Sequence, residues 1–416
     1  MSTPPRPYRP VVPLPLPPGP AVLDLLPQLA DALAGRGPAR LPVPADDPAA
    51  AARLVDALAG GPLGPGEDDP ADPTAFVVGT SGSTGPPKGA LLPVSALAAS
   101  AAATTDRLAG GAAAPGTWLL TVPPHHVAGL QVLLRSLVAG TEPVVLAPPF
   151  RADRFARAVA RLPAGPRYVS LVPTQLSRVL ADPTATAALA TFTAVLVGGA
   201  ATDPVLLAAA RTAGARVVTT YGMSETCGGC VYDGVPLAGV RAELLPGGEE
   251  PATDGVGRVR LRGPVVARGY RGRPADPAFG SDDEGRWFAT ADLARWSTDG
   301  HLQVIGRVDD VLVTGGEKVH PVLVETAVAG VAGVGAVVVV GVPDARWGQR
   351  VVAVVVTDGG DGPDEQAIAT AARTAGGRAA VPRMVLTIDE LPLRGPGKPD
   401  RTALTAWATQ RVDRDG

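Results

Sequence analysis

The chain has 416 residues, room for about two or three ordinary domains, and carries 51 Gly and 45 Pro. An apolar content of 46% against 19% charged residues excludes a disordered chain despite that Gly/Pro load. With 37 basic and 40 acidic residues the net charge is −3, which disfavours a nucleic-acid partner. Only three of the basic residues are lysines, Lys88, Lys318 and Lys398. Asn is absent and Ile occurs three times, so GC-rich coding accounts for most of the shift to Arg. A lysine that persists under such a bias marks a place for a compact charge on a flexible stem, which the planar guanidinium cannot replace.

The first twenty residues hold nine prolines and cannot form the helical core of a signal peptide. They are expected to form an extended, polyproline-type tail or a strap along the surface. No apolar run approaches the length of a membrane span, so the protein is expected to be soluble and cytoplasmic, without membrane insertion. From residue 75, β-branched runs alternate with Ala/Leu-rich stretches at helical spacing. Strands are predicted at Ala75–Val78, Thr117–Val122, Val144–Leu146, Arg167–Leu171, Ala194–Val197 and Arg216–Thr219. Helices are predicted at Val94–Leu108, Val127–Val138, Ala152–Arg161, Thr174–Leu180 and Pro204–Thr212. That order implies an α/β fold with largely parallel, helix-covered sheets.

From about 238 to 306 the texture turns to Gly/Pro-punctuated β segments such as Gly257–Arg262 and His301–Ile305. Beyond it, Val311–Val313, a helix near Val322–Val328, Ala336–Val340, Val351–Thr357, a helix over Asp364–Ala375 and Val385–Ile388 form a small α/β unit. The expected organisation is a tail at 1–20, a large N-terminal domain at 21–306 with its β-rich part at about 238–306, and a small domain at 307–416. The boundary is placed at Gly306–Asp310.

The strand Ala75–Val78 runs into Gly79-Thr80-Ser81-Gly82-Ser83-Thr84-Gly85-Pro86-Pro87-Lys88-Gly89. Glycines and three hydroxyls offer donors without bulk, as a triphosphate tail requires, and Lys88 adds a mobile charge. It is not a Walker A loop, because Lys88 follows Pro87 and precedes Gly89. This segment resembles the signature of the adenylate-forming superfamily, which includes acyl-CoA synthetases, peptide-synthetase adenylation domains and luciferases. Three further motifs match in order, over about residues 72–405. The resemblance implies binding of ATP or AMP by Thr80, Ser81, Gly82, Ser83, Thr84, Gly85 and Lys88.

Tyr221-Gly222-Met223-Ser224-Glu225-Thr226 is similar to the segment that packs on adenine, with Ser224 where many members have Thr. Glu225 is the implied Mg²⁺ ligand, a hard oxygen donor of the kind that ion prefers. Gly198-Gly199-Ala200 resembles the loop on the other side of the adenine; taken alone it is an ordinary strand-end turn. Thr290-Ala291-Asp292-Leu293 and Gly306-Arg307-Val308-Asp309-Asp310 form the third match. It implies that Asp292 accepts from the ribose hydroxyls, that Arg307 contacts the ribose side and that Asp309 is the hinge of a rotating C-terminal domain. Arg394-Gly395-Pro396-Gly397-Lys398-Pro399-Asp400-Arg401 is the fourth and makes Lys398 the catalytic lysine of adenylation.

The second half-reaction needs an acceptor. Thr314-Gly315-Gly316-Glu317-Lys318 resembles the glycine loop that borders the pantetheine arm in CoA ligases, which implies CoA as co-substrate and Gly315, Gly316 and Lys318 on its path. The chain ends soon after Lys398, so no carrier-protein module is expected, although a stand-alone adenylation domain serving a separate carrier stays open. Pro123-Pro124-His125-His126-Val127-Ala128-Gly129 is similar to the segment at the acid pocket. With the short region before the phosphate loop, its continuation to Arg135 is similar to the o-succinylbenzoate–CoA ligases of menaquinone biosynthesis. That resemblance implies a second carboxylate on the acid. His126, Gln131, Arg135 and Thr174 are the candidate pocket residues, and His126 joins Lys398 and Glu225 as a catalytic candidate. A solvated helix face is the alternative for Arg135. Another aryl or medium-chain acid, or a nucleotide-binding relative without catalysis, are the other readings, and a homodimer stays open. Cys227 and Cys230 form a CxxC with no second pair to complete a zinc site, and two reduced thiols are expected.

Overall fold

The structure, a computed structural model, describes residues 8–80, 87–109, 116–246, 255–357, 359, 362–394 and 398–415. Packing divides the chain into two units. One comprises Met1–Thr202, Leu206–Glu243 and Arg260–Thr290, and the other Asp203–Val205, Leu244–Val259 and Ala291–Gly416. The Gly306–Asp310 segment lies inside the second unit, where Val308–Asp310 is a short 3-10 helix.

Among the described residues, two sheets lie wholly within the first unit. In the smaller one Val11–Leu16, Ala39–Pro44 and Thr74–Thr80 run parallel, and Lys88–Pro93 returns antiparallel to Thr74–Thr80. The expected N-terminal tail is corrected here: over Val11–Leu16 it is an edge strand with Val11, Leu14 and Leu16 buried. Pro13 and Pro15 share one parity, so their missing N–H groups fall on one side of the strand, and an edge tolerates that loss. The larger sheet has the order Val235–Pro236, Gly228–Tyr232, Val217–Met223, Ala194–Gly198, Arg167–Leu171, Thr117–Leu120, Val144–Val145. Its five strands from Val217–Met223 to Val144–Val145 are parallel.

Every strand and helix expected between 75 and 219 is present, the last strand running on to Met223. The short helix Pro183–Leu189 was not expected. Its start is written locally, with Asp182 accepting from the Ala185 N–H at 2.9 Å and Pro183 in the first turn. Helices Ala152–Val159, Pro173–Leu180 and Pro183–Leu189 pack against the parallel strands around Phe155, Leu176, Leu189 and Phe192, all at 1% exposure or less.

In the second unit Asp292–Trp296 pairs antiparallel with Leu302–Arg307. A separate sheet has the order Glu317–Val319, Leu312–Thr314, Gly348–Thr357, Val334–Asp344, with Met384–Thr387 beside Gly348–Thr357. Its valine runs are continuous because both faces are covered. Val339, Val351, Ala353 and Val355 pack with helices Pro321–Val328 and Glu365–Gly376, while Val338, Val340, Val352 and Val354 pack with the C-terminal helix Arg401–Asp415. Among the described residues no helix is long and apolar enough to cross a membrane.

Candidate active site

In the seven-stranded sheet the chain leaves Thr117–Leu120 for Val144–Val145 on one side, then crosses to Arg167–Leu171 on the other. That reversal is a topological switch point, where open α/β sheets bind ligands at the carboxyl ends of their strands. The segments at that edge are Val122–His126, Val172–Thr174, Gly198–Ala200 and Tyr221–Glu225. Gln175 ties two of them together: its Oε1 accepts from the Val172 N–H at 3.2 Å and its Nε2 donates to the Thr121 carbonyl at 2.9 Å. Sequence motifs far apart in the chain thus converge on one edge.

Of the expected phosphate loop, Ser81, Gly82, Ser83, Thr84 and Gly85 lie outside the described residues; Thr80 and Lys88 are described and face each other across the strand pair. A return strand follows Lys88, where a Walker loop would start a helix, so the segment is not a Walker A loop. The Lys88 ammonium stands 4.6 Å from the Tyr270 ring centroid and 3.6 Å from an oxygen of Asp276. The Tyr270 hydroxyl donates to Glu225 Oε1 at 2.5 Å. Glu225 is 7% exposed in the short turn after Met223, a turn that Thr226 fixes by accepting from the Met223 N–H at 3.0 Å. Among the described residues no group of three or more His, Cys, Asp or Glu side chains gathers as a metal cage. A single carboxylate suits Mg²⁺ that arrives with a triphosphate, since that ion takes one or two carboxylates plus phosphate oxygens and waters.

In the segment expected at the acid, Gly129 lets the helix Val127–Ala139 start under the Pro123–Pro124 turn. A Cβ there would stand 2.2 Å from the Pro123 carbonyl oxygen. This close approach puts His126 at the head of the helix, its ring 4.3 Å from that of His125. Burial pushes His125 below the usual imidazole value against the pull of Asp46 and Asp47. Thr174 is half-buried in the first turn of Pro173–Leu180.

Arg135 is 6% exposed, which removes the solvated-face alternative. Its guanidinium carbon is 5.3 Å from the Trp118 ring, its Nε has no hydrogen-bond partner, and among the described residues no carboxylate pairs with it. Gln131, 1% exposed, commits its amide nitrogen to the Cys227 carbonyl at 2.6 Å and keeps only Oε1 unpartnered. This bond ties Gln131 to the turn that carries Glu225, and its Oε1 is an acceptor that offers nothing to a carboxylate.

In the second unit Asp292, 8% exposed, lies opposite Arg307 in the strand pair and accepts from its Nη1 at 3.1 Å. The same guanidinium reaches Asp309 Oδ2 from Nη2 at 3.3 Å, so the ribose candidate and the hinge candidate share one cation. Gly315 and Gly316 form the two-residue turn between Leu312–Thr314 and Glu317–Val319, at φ of 60° and 85°. A Cβ on Gly315 would also stand 2.8 Å from the Trp347 ring. Lys318 is exposed on the return strand. Lys398 sits in a short strand pair opposite Arg394. Gly395, Pro396 and Gly397 lie outside the described residues.

Cys227 and Cys230 are buried free thiols. Burial raises both, Cys230 to about 12. Sequence reasoning passed over Tyr270, Asp276 and Glu67. The only signal was an aromatic beside a glycine at Gly269-Tyr270, the reverse of Tyr221-Gly222, in a segment read as β texture.

Residues 26–271 match the AMP-binding enzyme family, and residues 323–398 match the AMP-binding enzyme C-terminal domain. A protein of Mycobacterium tuberculosis (strain ATCC 25618 / H37Rv) named "Probable 2-succinylbenzoate--CoA ligase" is 46% identical over 395 residues, 94% of this chain and 96% of that protein. The "2-succinylbenzoate--CoA ligase" of Enterococcus faecalis is 31% identical over 297 residues, 68% of this chain and 60% of that protein. Among solved structures, ATP-bound MatB from Rhodopseudomonas palustris superposes with a TM-score of 0.79 at 25% identity, over 97% of this chain and 89% of that one.

Proposed function

The chain belongs to the AMP-binding enzyme family and is an acid–CoA ligase of the adenylate-forming kind, and on that premise we propose that its acid is 2-succinylbenzoate. The reaction is 2-succinylbenzoate plus ATP and CoA to the succinylbenzoyl-CoA thioester, AMP and pyrophosphate, a step of menaquinone (vitamin K2) biosynthesis. The observation that carries the substrate is Arg135, a buried guanidinium that has no carboxylate partner among the described residues and whose Nε is unpartnered. A buried charge is retained where something pairs it, and the ring carboxylate of this acid does so. Arg135 stands nine residues beyond His126, about 13 Å along the helix at 1.5 Å per residue. Its side chain leans back toward the helix N-terminus, so it addresses the far end of an acid whose other carboxylate is at the sheet edge. The name of the 46% identical relative points the same way.

In the first half-reaction a carboxylate oxygen attacks the α-phosphorus, the bond to pyrophosphate breaks and the acyl-adenylate forms. Thr80, Ser81, Gly82, Ser83, Thr84, Gly85 and Lys88 hold the phosphates. Gly198, Gly199, Ala200, Tyr221, Gly222, Met223 and Ser224 flank the adenine. Asp292 and Arg307 take the ribose, while His126 and Thr174 border the acid. Mg²⁺, when bound through Glu225, neutralises phosphate charge. Lys398 supplies the compact cation that offsets charge building between carboxylate and α-phosphate. In the second half-reaction the CoA thiol attacks the acyl carbonyl and AMP leaves. Gly315 and Gly316 admit the thin pantetheine arm, Lys318 meets a CoA phosphate, and Asp309 is the hinge between the two steps.

The test is a panel of acids in a pyrophosphate-release assay, with and without CoA. Turnover should be fastest with 2-succinylbenzoate and should yield a thioester only when CoA is present. A monocarboxylic acid turned over faster than 2-succinylbenzoate would overturn the substrate.

A further inference from the structure

Residues 267–271 thread between the Glu225 turn and the strand that begins at Lys88. The Ala267 N–H donates to the Glu225 carbonyl at 2.8 Å, the Leu91 N–H to Gly269 at 2.9 Å and the Arg271 N–H to Gly89 at 2.8 Å. Tyr270 itself bridges to Ala90, two residues from Lys88 and therefore on the same face of that strand. Its ring is 5% exposed and packs edge-on against Phe279 at 4.9 Å and Phe288 at 6.4 Å. The next residues are pinned by Glu67, a 3% exposed carboxylate that accepts from Arg271 Nη1, from the Gly272 N–H and from the Gly64 N–H. The ring is thus fixed in place, with Lys88 on its face and Glu225 at its hydroxyl.

We propose that Tyr270 is a positioning residue for nucleotide binding, its ring carrying the Lys88 ammonium and its hydroxyl holding the Glu225 carboxylate. The proposal rests on the reading of Lys88 and Glu225 as the phosphate and Mg²⁺ groups and is independent of which acid is activated. A tyrosine that only filled space would need no hydroxyl, because Phe279 and Phe288 already supply the apolar wall. A phenol carries its proton at neutral pH, so beside an ionised carboxylate its hydroxyl can only be the donor. A donor fixed on one carboxylate oxygen sets the direction in which the group can meet a cation, the usual task of a residue behind a metal ligand. Under the ammonium, the ring face holds Lys88 without neutralising it, while Asp276 provides the competing anionic contact.

Calorimetric titration of ATP into the full-length protein, once with Mg²⁺ and once with EDTA, separates the two tasks. Tyr270→Phe keeps the ring and removes the hydroxyl. Its ATP affinity should stay within about twofold of wild type in EDTA and fall about tenfold in Mg²⁺. Tyr270→Leu also removes the ring and should lose about a further threefold in EDTA. Glu225→Gln should abolish the gain in affinity that Mg²⁺ brings. Overpacking or loosening of the site would lower both conditions alike, and that result for Tyr270→Phe would overturn the proposal, as would wild-type affinity in Mg²⁺. If Glu225→Gln left the Mg²⁺ gain intact, the reading of Glu225 would fall and the proposal with it.

Discussion

Arg135→Met is the substitution in which substrate recognition and stability should move in opposite directions. The side chain is 6% exposed, and among the described residues its only ring contact is Trp118 at 5.3 Å, with no carboxylate partner. With the acid bound, a charge-assisted contact to the ring carboxylate is worth roughly 1.5–3 kcal/mol, or about 10- to 150-fold in kcat/KM. Without the acid, replacing a buried unpaired ion by an apolar chain of similar length is neutral or stabilising by about 1–4 kcal/mol, against about 1–2 kcal/mol of lost cation–π attraction. Pyrophosphate release should be compared for 2-succinylbenzoate and 4-oxo-4-phenylbutanoate, which keeps the succinyl arm and lacks the ring carboxylate. The variant should lose at least about tenfold with the first acid and less than about threefold with the second, and its urea midpoint should hold or rise. Unchanged selectivity together with a lowered midpoint would make Arg135 a structural residue and refute the reasoning.

Lys398→Ala should cut pyrophosphate release by about 10²- to 10³-fold while thioester formation from supplied acyl-adenylate survives; equal loss of both halves would remove the role given to Lys398. Glu67→Ala leaves Arg271 with its charge half-buried and two N–H groups unpaired, so urea denaturation should report a loss of about 3 kcal/mol, and less than about 1 kcal/mol would contradict the clamp. The two thiols ionise near 9 when unfolded and higher when folded, Cys230 at about 12. Above pH 9 the unfolded chain therefore binds fewer protons, and stability should fall with rising pH by up to about 1.4 kcal/mol per unit for each thiol. The double variant Cys227→Ala, Cys230→Ala should show a shallower fall in urea midpoint between pH 9 and 11, and an identical fall would place the alkaline sensitivity elsewhere.

Motifs and alternation were legible where local chemistry and fold agree. The strands and helices from Thr74 to Met223 follow the period of their apolar residues, and the glycine of Pro123-x-x-His126-x-x-Gly129 marks a close approach that the turn requires. Val11–Leu16 was missed because proline density argues for an extended tail, and only its parallel partner Ala39–Pro44 makes it a strand. The helix Arg401–Asp415 was missed because, among its described side chains, only Leu404, Ala408 and Val412 are buried, a stripe too narrow to stand out from its polar residues. Gln131 was assigned to the acid from its place in a motif, and its bond to the Cys227 carbonyl, 96 residues away in sequence, had no local signal. Tyr270 was illegible for the same reason: its value lies in contacts to Lys88 and Glu225, and no local pattern encodes either.

The most direct measurement of the central claim is a competition. The enzyme is given ATP, Mg²⁺ and CoA with an equimolar mixture of 2-succinylbenzoate, 4-oxo-4-phenylbutanoate, benzoate and octanoate, and the thioesters are separated by mass. Product ratios at early time equal the ratios of kcat/KM, which is where an enzyme's preference resides. The account predicts that succinylbenzoyl-CoA exceeds every other thioester by at least about tenfold. A mixture dominated by the thioester of any monocarboxylic acid would contradict it.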